Sequence, residues 1–281
     1  MASQPINDTF LIRWAIHILY KMLSIRWISR ILSYTRLIKY IGPGVLIILW
    51  SVCVKSTPFT LLAEASAMRF VSENTKIPVP KVYSAFEHRG RVYIIMELID
   101  GTCLAGDWCR RTPDSRTRIL NSLRGMMRQL RQIPNPSGAS ISNIDGGPIY
   151  DQRLPGPHQW GPFRNIADFH RELRGNFEEP VCNGEFVPDL ARLIDFHKQP
   201  WPASVFTHGD LSSFNILARG DEVVGIVDWE TAAWMPPYWE YTSTWHVNPY
   251  NPFWQEEVGR FLEPFPEALT AEIYRRKFSG D

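Results

Sequence analysis

The chain reads Val205-Phe206-Thr207-His208-Gly209-Asp210-Leu211-Ser212-Ser213-Phe214-Asn215-Ile216-Leu217, and this run carries its strongest structural signal. A histidine is followed two residues later by an aspartate and five residues after that by an asparagine. A chance match to three fixed positions is expected in roughly 1 of 8,000 windows, or about 3% of chains of this length. The spacing therefore indicates a loop with a defined role and not a chance arrangement of residues.

A second carboxylate follows this loop. Residues 216–218 and 222–227 are predicted to form a β-hairpin closed by a turn at residues 219–221, and Asp228 stands where the second strand ends. The hairpin is expected to return Asp228 to the side of the loop. A turn with Asp and Asn as capping residues is the simpler alternative, but it explains neither His208 nor the spacing to Asp228.

The predicted loop and hairpin bring together groups that suit a magnesium ion. Mg²⁺ takes oxygen ligands, usually one or two carboxylates together with phosphate oxygens, so Asn215 and Asp228 are the candidate metal ligands. Asp210 is then free to receive or orient a hydroxyl proton. His208 is expected to hold the loop through hydrogen bonds.

These residues resemble a known pair of motifs. The segment from His208 to Asn215, followed by Ile226-Val227-Asp228-Trp229-Glu230, is similar to the motifs of the aminoglycoside phosphotransferase and choline kinase family, relatives of the protein kinases. The run Trp234-Met235-Pro236-Pro237-Tyr238-Trp239-Glu240-Tyr241 resembles fungal members of that family. The resemblance covers roughly residues 41–260.

The resemblance implies a fold and a chemistry. The fold is α+β and two-lobed, protein-kinase-like, with a small N-terminal antiparallel sheet plus a helix and a larger, mainly helical C-terminal lobe. In the family, the residue matching Asp210 serves as the catalytic base. The residues matching Asn215 and Asp228 serve as metal ligands. The implied activity is ATP-dependent transfer of a phosphoryl group to a hydroxyl of a small molecule, with ATP and Mg²⁺ as cofactors.

The first part of the chain shows weaker signals of the same kind. Lys55 at a strand end and Glu64 on the next predicted helix resemble the family's phosphate-binding lysine and its carboxylate partner. Without the second motif such a pair means little, because strand lysines and helix glutamates are common on surfaces. The resemblance also implies a hinge at residues 96–99, where backbone groups of Glu97 and Ile99 hold adenine.

One feature departs from the family pattern and motivates a second function. The phosphate-covering loop is only Gly42-Pro43-Gly44, and ten residues separate Gly44 from Lys55, so residues 48–53 look like an insertion or an imperfect gene model. The apolar run over residues 45–54 predicts one buried strand. The alternative is a catalytically silent, kinase-like nucleotide-binding or scaffold protein. A kinase of protein hydroxyls is disfavoured, because nothing resembles an activation segment closed by Ala-Pro-Glu.

The order of predicted elements divides the chain into three parts. A strand, a helix from Pro58 to Asn74 and two strands precede residue 100, and helical patterns dominate beyond it. We therefore expect a small nucleotide-binding lobe over residues 41–100 and a large lobe with the catalytic, metal and acceptor sites over residues 101–281. The Pro- and Gly-rich segment 134–162 is typical of a lid, an ordered meander or a disordered region.

Residues 1–40 form the remaining part, a basic amphipathic helical segment. Asp and Glu are absent from Thr9 to Ala63, while seven basic residues fall in that interval: Arg13, Lys21, Arg26, Arg30, Arg36, Lys39 and Lys55. Arg and Lys interrupt the apolar runs before they reach the length of a membrane span. Three interpretations stay open: helices packed across the small lobe, a helix on a membrane surface, or a targeting peptide.

Composition bounds the partners. The 281 residues carry a net charge of +1, which gives no long-range attraction to nucleic acid. The four cysteines include no C-x-x-C pair, so we expect reduced thiols and a cytoplasmic protein, peripheral at a membrane if the N-terminal segment binds one.

Aromatic and acidic residues cluster after Asp228 and suggest the acceptor. Aromatic rings attract a cation by roughly 0.5–2 kcal/mol, and a desolvated carboxylate adds to that. We therefore expect an amine-bearing alcohol or hydroxylated amine, contacted by Glu230 and Trp234. The alternative is that most of these rings pack the core of the large lobe.

Overall fold

The computed structural model describes residues 3–23, 38–40, 45–48, 51–136, 138, 140–156, 159–246 and 252–279. Its helices are α1 (Phe10–Leu23), α2 (Leu62–Asn74), α3 (Pro113–Gln132), α4 (Ile166–Leu173), α5 (Pro188–His197), α6 (Trp239–Trp245), α7 (Pro252–Phe261) and α8 (Pro266–Ser279). Its strands are β1 (Ile38–Tyr40), β2 (Val45–Ile48), β3 (Val52–Lys55), β4 (Val82–His88), β5 (Arg91–Glu97), β6 (Thr102–Cys103), β7 (Ile149–Tyr150), β8 (Gln159–Trp160), β9 (Val181–Cys182), β10 (Glu185–Phe186), β11 (Val205–Thr207), β12 (Ile216–Arg219), β13 (Glu222–Ile226) and β14 (Ala233–Met235).

The first five strands form one antiparallel sheet in the order β1-β2-β3-β5-β4. The single strand predicted over residues 45–54 is wrong, because β2 and β3 pair with each other, Val45 opposite Lys55 and Ile48 opposite Val52. Periodicity cannot show where a continuous apolar run reverses direction. Of the apparent insertion at residues 48–53, Ile48 belongs to β2 and Val52 and Cys53 belong to β3, while residues 49–50 and the glycines at 42–44 lie outside the described residues.

Helix α2 follows β3 and packs on the small lobe's core. It begins at Leu62 and not at Pro58, because the Thr57 hydroxyl accepts a hydrogen bond from the Phe59 amide at 3.1 Å and closes a local turn. Its inner side buries Ala65, Ala67, Met68 and Val71.

Helix α1 covers another part of the small lobe. Its Ile12, Ile16 and Leu19 pack against a buried cluster that includes Phe86 and Tyr93. The His17 ring lies 2.8 Å from the Tyr93 hydroxyl. Lobe packing, one of the three interpretations of the N-terminal segment, is thus the arrangement of α1.

The large lobe begins where the chain leaves β5. Strand β6 pairs with β12, which pairs with β13, and this three-stranded sheet belongs to the second part of the chain. We therefore propose the lobe boundary near residue 100. Helix α3 starts as a capped helix should, with Pro113 in its first turn and the Thr112 hydroxyl accepting from the Ser115 amide at 3.3 Å.

The described part of segment 134–162 is an ordered meander. Strands β7 and β8 pair within it, and isolated bridges join Ile141 to Phe163 and Ser142 to Trp234. The segment therefore reaches β14, which itself pairs with β11. Among the described residues, no helix has both the length and the apolar character needed to cross a bilayer.

Candidate active site

The candidate catalytic loop, residues 208–215, leaves β11 through a tight turn at Gly209. Gly209 has a φ of +84°, and a Cβ there would lie 3.0 Å from the Thr231 carbonyl oxygen, so the position requires glycine. His208 is fully buried and holds the turn: its Nε2 donates to the Val227 carbonyl at 3.0 Å, and its Nδ1 accepts from the Asp210 amide at 3.1 Å. Burial lowers the His208 pKa. Because Nδ1 accepts from the Asp210 amide, the ring that orients the loop is neutral.

Asp210 and Asn215 are joined directly. The Asn215 side-chain amide donates to Asp210 Oδ2 at 3.0 Å and to the Asp210 carbonyl oxygen at 2.9 Å. Burial raises the Asp210 pKa, the Arg153 guanidinium opposes that rise, and the Asp228 carboxylate adds to it. The loop thus presents one carboxylate whose orientation is fixed by its own asparagine.

Asp228 is delivered by the β12–β13 hairpin, whose strands pair from Ile216 opposite Ile226 to Arg219 opposite Glu222. Its backbone is left-handed, with a φ of +66°, a conformation that Asp tolerates better than most residues. The Val227 amide donates to the Asn215 carbonyl at 2.9 Å, which ties the hairpin exit to the loop.

Lys55 links the two lobes through three carboxylates. Its Nζ lies 3.0 Å from Glu64, 2.6 Å from Asp228 and 2.9 Å from Glu230. Burial alone would lower the Lys55 pKa, but these carboxylates raise it well above its usual value, so the ammonium is charged. The structure therefore brings together Lys55 and Glu64 of the small lobe with Asp228 of the large lobe.

Glu240 is a site residue whose role the sequence did not reveal. It lies on α6, is 2% exposed, and accepts hydrogen bonds from the backbone amides of His208 at 2.7 Å and Gly209 at 2.9 Å. The sequence showed it only as one carboxylate within an aromatic run. These two hydrogen bonds hold the start of the catalytic loop in place.

The predicted hinge connects β5 to β6. The Glu97 amide donates to the Lys81 carbonyl at 2.9 Å, and the Leu98 amide donates to the Ser51 carbonyl at 3.0 Å. Ile99 packs on Gly225 so closely that a Cβ on Gly225 would lie 2.5 Å from Ile99 Cδ1. The Glu97 side chain is exposed, and a role for Glu97 and Ile99 in holding adenine stays a prediction.

The predicted contact between Trp234 and an acceptor is wrong. Trp234 is 2% exposed, and its ring centroid lies 5.2 Å from that of Phe206 and 6.0 Å from that of Phe70. Pairing of β14 with β11 directs the indole into the core beneath α2. The same burial applies to other rings of the cluster: Trp229, Tyr238, Trp239 and Tyr241.

A cavity of about 370 Å³ lies beside the catalytic loop. It is lined by Asp151, Gln152, Arg153, Asp210, Ser212, Phe214, Asn215, Glu230, Thr231 and His246. Glu230 therefore reaches the cavity, although its Oε2 is ion-paired with Lys55. Among the described residues, no group of three or more His, Cys, Asp or Glu side chains is arranged to hold a metal by itself.

The sequence matches a known enzyme family. Residues 52–276 match the phosphotransferase enzyme family, and the chain is a member of it. It is 27% identical over 177 residues to an aminoglycoside 3'-phosphotransferase of Niallia circulans, a match that spans 60% of this chain and 57% of that relative's length.

Solved structures with the same fold are also aminoglycoside phosphotransferases. The apo form of a thermostable mutant of APH(4)-Ia superposes with a TM-score of 0.59 at 14% identity, over 85% of this chain and 83% of that one. The streptomycin-ATP-APH(2'')-IIa ternary complex gives 0.53 at 11% identity, over 96% and 87%. The predicted α+β, two-lobed, protein-kinase-like fold is confirmed.

Replacing Glu240 by Gln should weaken the catalytic loop. Glutamine keeps the size of the side chain but has one oxygen, not two, to accept from the two backbone N–H groups. One buried backbone N–H therefore loses its acceptor, at a cost of about 1–3 kcal/mol. We expect a lower midpoint of thermal unfolding and faster hydrogen exchange at His208 and Gly209. Exposed Glu267 of α8, changed to Gln, is the matched control.

Equal unfolding midpoints and equal exchange in the two variants would show that the Glu240 contacts do not support the loop.

Proposed function

We propose that the protein is an ATP-dependent phosphotransferase that phosphorylates a hydroxyl group of a small molecule. One observation carries the proposal: Asp210, Asn215 and Asp228 meet at the same cleft as the ion pair of Lys55 and Glu64. These groups come from both lobes and lie far apart in sequence. Turn or surface chemistry alone gives no reason for them to converge.

The residues present fit Mg²⁺ and a nucleotide. Asn215 and Asp228 offer an amide and a carboxylate, and a magnesium ion held this way normally completes its shell with water and phosphate oxygens. When bound, the ion neutralises charge on the phosphates. Lys55, already charged, suits the α- and β-phosphates, with Glu64 fixing its position.

Asp210 then acts on the acceptor. Its carboxylate lines the cavity, where it can accept the proton of a bound hydroxyl. The acceptor oxygen then bonds to the γ-phosphorus of ATP as the bond from that phosphorus to ADP breaks, and ADP leaves. Catalysis of this transfer consists mainly of positioning and electrostatic stabilisation. His208, with both ring nitrogens engaged by backbone groups, orients the loop.

The silent alternative was motivated by the short glycine loop, and the glycines at 42–44 lie outside the described residues. The described strands place Lys55 at the end of β3, opposite Val45 of β2. The Lys55 and Glu64 pair is formed, and both carboxylates of the second motif face it or the cavity. These features favour an active enzyme over a nucleotide-binding scaffold.

The proposed acceptor is an alcohol that bears an amine. The cavity presents the carboxylates of Asp151, Asp210 and Glu230 against the guanidinium of Arg153, which leaves negative charge to offset a cation. Phe214 is 43% exposed at the same cavity and offers a ring face. The proposed amine therefore rests on these side chains and not on Trp234.

We also propose that α1 rests on an anionic membrane surface. Its outer side exposes Phe10 by 73%, Leu11 by 78% and Ile18 by 49%, while its inner side packs on the sheet. The same part of the sequence has no acidic residue between Thr9 and Ala63. An apolar stripe beside an acid-free, basic segment matches a negatively charged lipid surface.

Changing Asp210 to Asn should reduce phosphoryl transfer by about a thousandfold, because the proton acceptor is lost, and leave nucleotide affinity intact. Changing Asp228 to Ala should instead abolish magnesium-dependent nucleotide binding. ADP release from Mg-ATP and calorimetric nucleotide titration measure the two effects. Exposed Asp195, changed to Asn, is the control. Wild-type turnover by Asp210→Asn would disprove the catalytic assignment.

Amine-bearing acceptors should give a higher kcat/KM than neutral sugars, by about tenfold if charge recognition contributes 1.4 kcal/mol. The measurement is ADP release across amino alcohols, aminoglycosides and hydroxylated amines, with neutral sugars as the matched set. Glu230→Gln should narrow the difference. Faster turnover of the neutral acceptors would contradict the proposed amine.

The triple variant Phe10→Ser, Leu11→Ser, Ile18→Ser should lose binding to phosphatidylserine vesicles, because it removes the outer stripe of α1 without touching the face that packs on the sheet. Co-sedimentation measures this. The control changes exposed Val181 and Phe186 to Ser on the β9–β10 hairpin. Wild-type protein that stays in the supernatant would show that α1 serves lobe packing alone.

A further inference from the structure

Arg153 comes from the meander 134–162, apart from both motifs, yet its guanidinium is fixed in place beside the catalytic loop. Asp151, which is 3% exposed, accepts from Arg153 Nε at 2.7 Å and from Nη2 at 2.8 Å. The Arg153 backbone amide also donates to Asp151 at 2.9 Å. A two-point carboxylate contact of this kind sets the plane of the guanidinium.

The oriented guanidinium then contacts the loop. Arg153 Nη2 donates to the Gly209 carbonyl oxygen. Nη1 lies 3.5 Å from the Ser243 carbonyl oxygen and 4.0 Å from Asp210 Oδ1. Arg153 therefore reaches the loop at the peptide group that precedes Asp210.

This peptide group is held at both of its polar atoms. Its carbonyl oxygen, from Gly209, accepts from Arg153, while its N–H, from Asp210, donates to His208 Nδ1 at 3.1 Å. Rotation of the peptide plane would swing the Asp210 side chain away from the cavity. Gly209, at a φ of +84°, has no Cβ, so steric contacts within the backbone restrain that rotation only weakly.

Charge reinforces the contact. Burial would lower the Arg153 pKa, but the carboxylates of Asp151, Asp210 and Glu240 raise it, so the guanidinium stays charged. Arg153 also lines the cavity together with Asp210 and Glu230. One side chain thus supports the loop from the side on which the acceptor has to lie.

We propose that Arg153, held by Asp151, is a positioning residue for phosphoryl transfer that fixes the Gly209–Asp210 peptide group and so aims Asp210 at the acceptor hydroxyl. The proposal rests on the phosphotransferase function proposed above. It adds a long-range support from the meander to the residues of the two motifs. It also explains why the described part of the meander is ordered against the loop.

The test separates positioning from general stability. Arg153→Met removes the guanidinium but keeps an unbranched side chain of moderate length, and kcat for ADP release with Mg-ATP and the best acceptor should fall about a hundredfold, since small misplacements of a catalytic group cost that much. The KM for ATP should change less than about twofold, because Arg153 does not contact Lys55 or Asp228. Arg153→Lys keeps the positive charge but lacks the planar guanidinium that makes the two-point contact, so it should restore part of the lost kcat.

Two further variants sharpen the result. Asp151→Asn should also lower kcat. The kcat of the double variant Asp151→Asn, Arg153→Met should be no lower than that of Arg153→Met alone, because both residues affect kcat through the same contact. Arg171→Met is the matched control, since Arg171 is an exposed arginine of α4 paired with Asp168 and Glu178. Hydrogen exchange at Gly209 and Asp210 should quicken in Arg153→Met and not in the control.

An unchanged kcat, or a fall in kcat that follows the unfolded fraction with unchanged exchange at Gly209 and Asp210, would overturn the proposal. If Arg153→Met does not fold, the partial loss and altered exchange of Arg153→Lys decide the question. If the wild-type protein transfers phosphate to none of the acceptors, the proposed function fails on its own. Loop exchange in the variants then still tests the role of Arg153.

Discussion

The site depends on one buried carboxylate. Glu240 accepts the backbone N–H groups of His208 and Gly209, which the left-handed turn at Gly209 leaves without partners in a strand or helix. A buried main-chain donor without an acceptor is costly, so a loop that turns this sharply in the interior needs an acceptor from elsewhere. Helix α6 supplies it, and the position of α6 therefore sets the position of the loop.

With the loop held there, its other contacts follow. The neutral His208 ring joins the loop to the exit of β13, and Asn215 joins it to Asp210. Lys55 brings the small lobe to the same point, because its ammonium lies within 3.0 Å of Glu64, Asp228 and Glu230. Three carboxyl groups surround one ammonium, and this composition suits the divalent cation and phosphate that we propose for the site.

Helix α1 has one packed face and one exposed face. Its inner side completes the small lobe by covering Phe86 and Tyr93, so its removal would expose core. Its outer side keeps Phe10 and Leu11 largely exposed. The sequence predicted an amphipathic, basic segment and left lobe packing, membrane contact and a targeting peptide as alternatives. The structure shows packing for α1, and membrane contact on its opposite face stays a proposal.

The local motifs were legible in the sequence because their geometry is local: the spacing from His208 to Asn215 and the hairpin that ends at Asp228 are set by turns of a few residues. Lys55 and Glu64 were identified only through the resemblance to the family, because such a pair means little by itself. The β2–β3 reversal was missed because a continuous apolar run does not show where the chain turns back. The burial of Trp234 and the contacts of Glu240 and Arg153 were missed because each depends on a distant element that lies alongside. Residue spacing specifies the conformation of a short segment, but the neighbour that satisfies its polar groups is chosen by the packing of the whole chain.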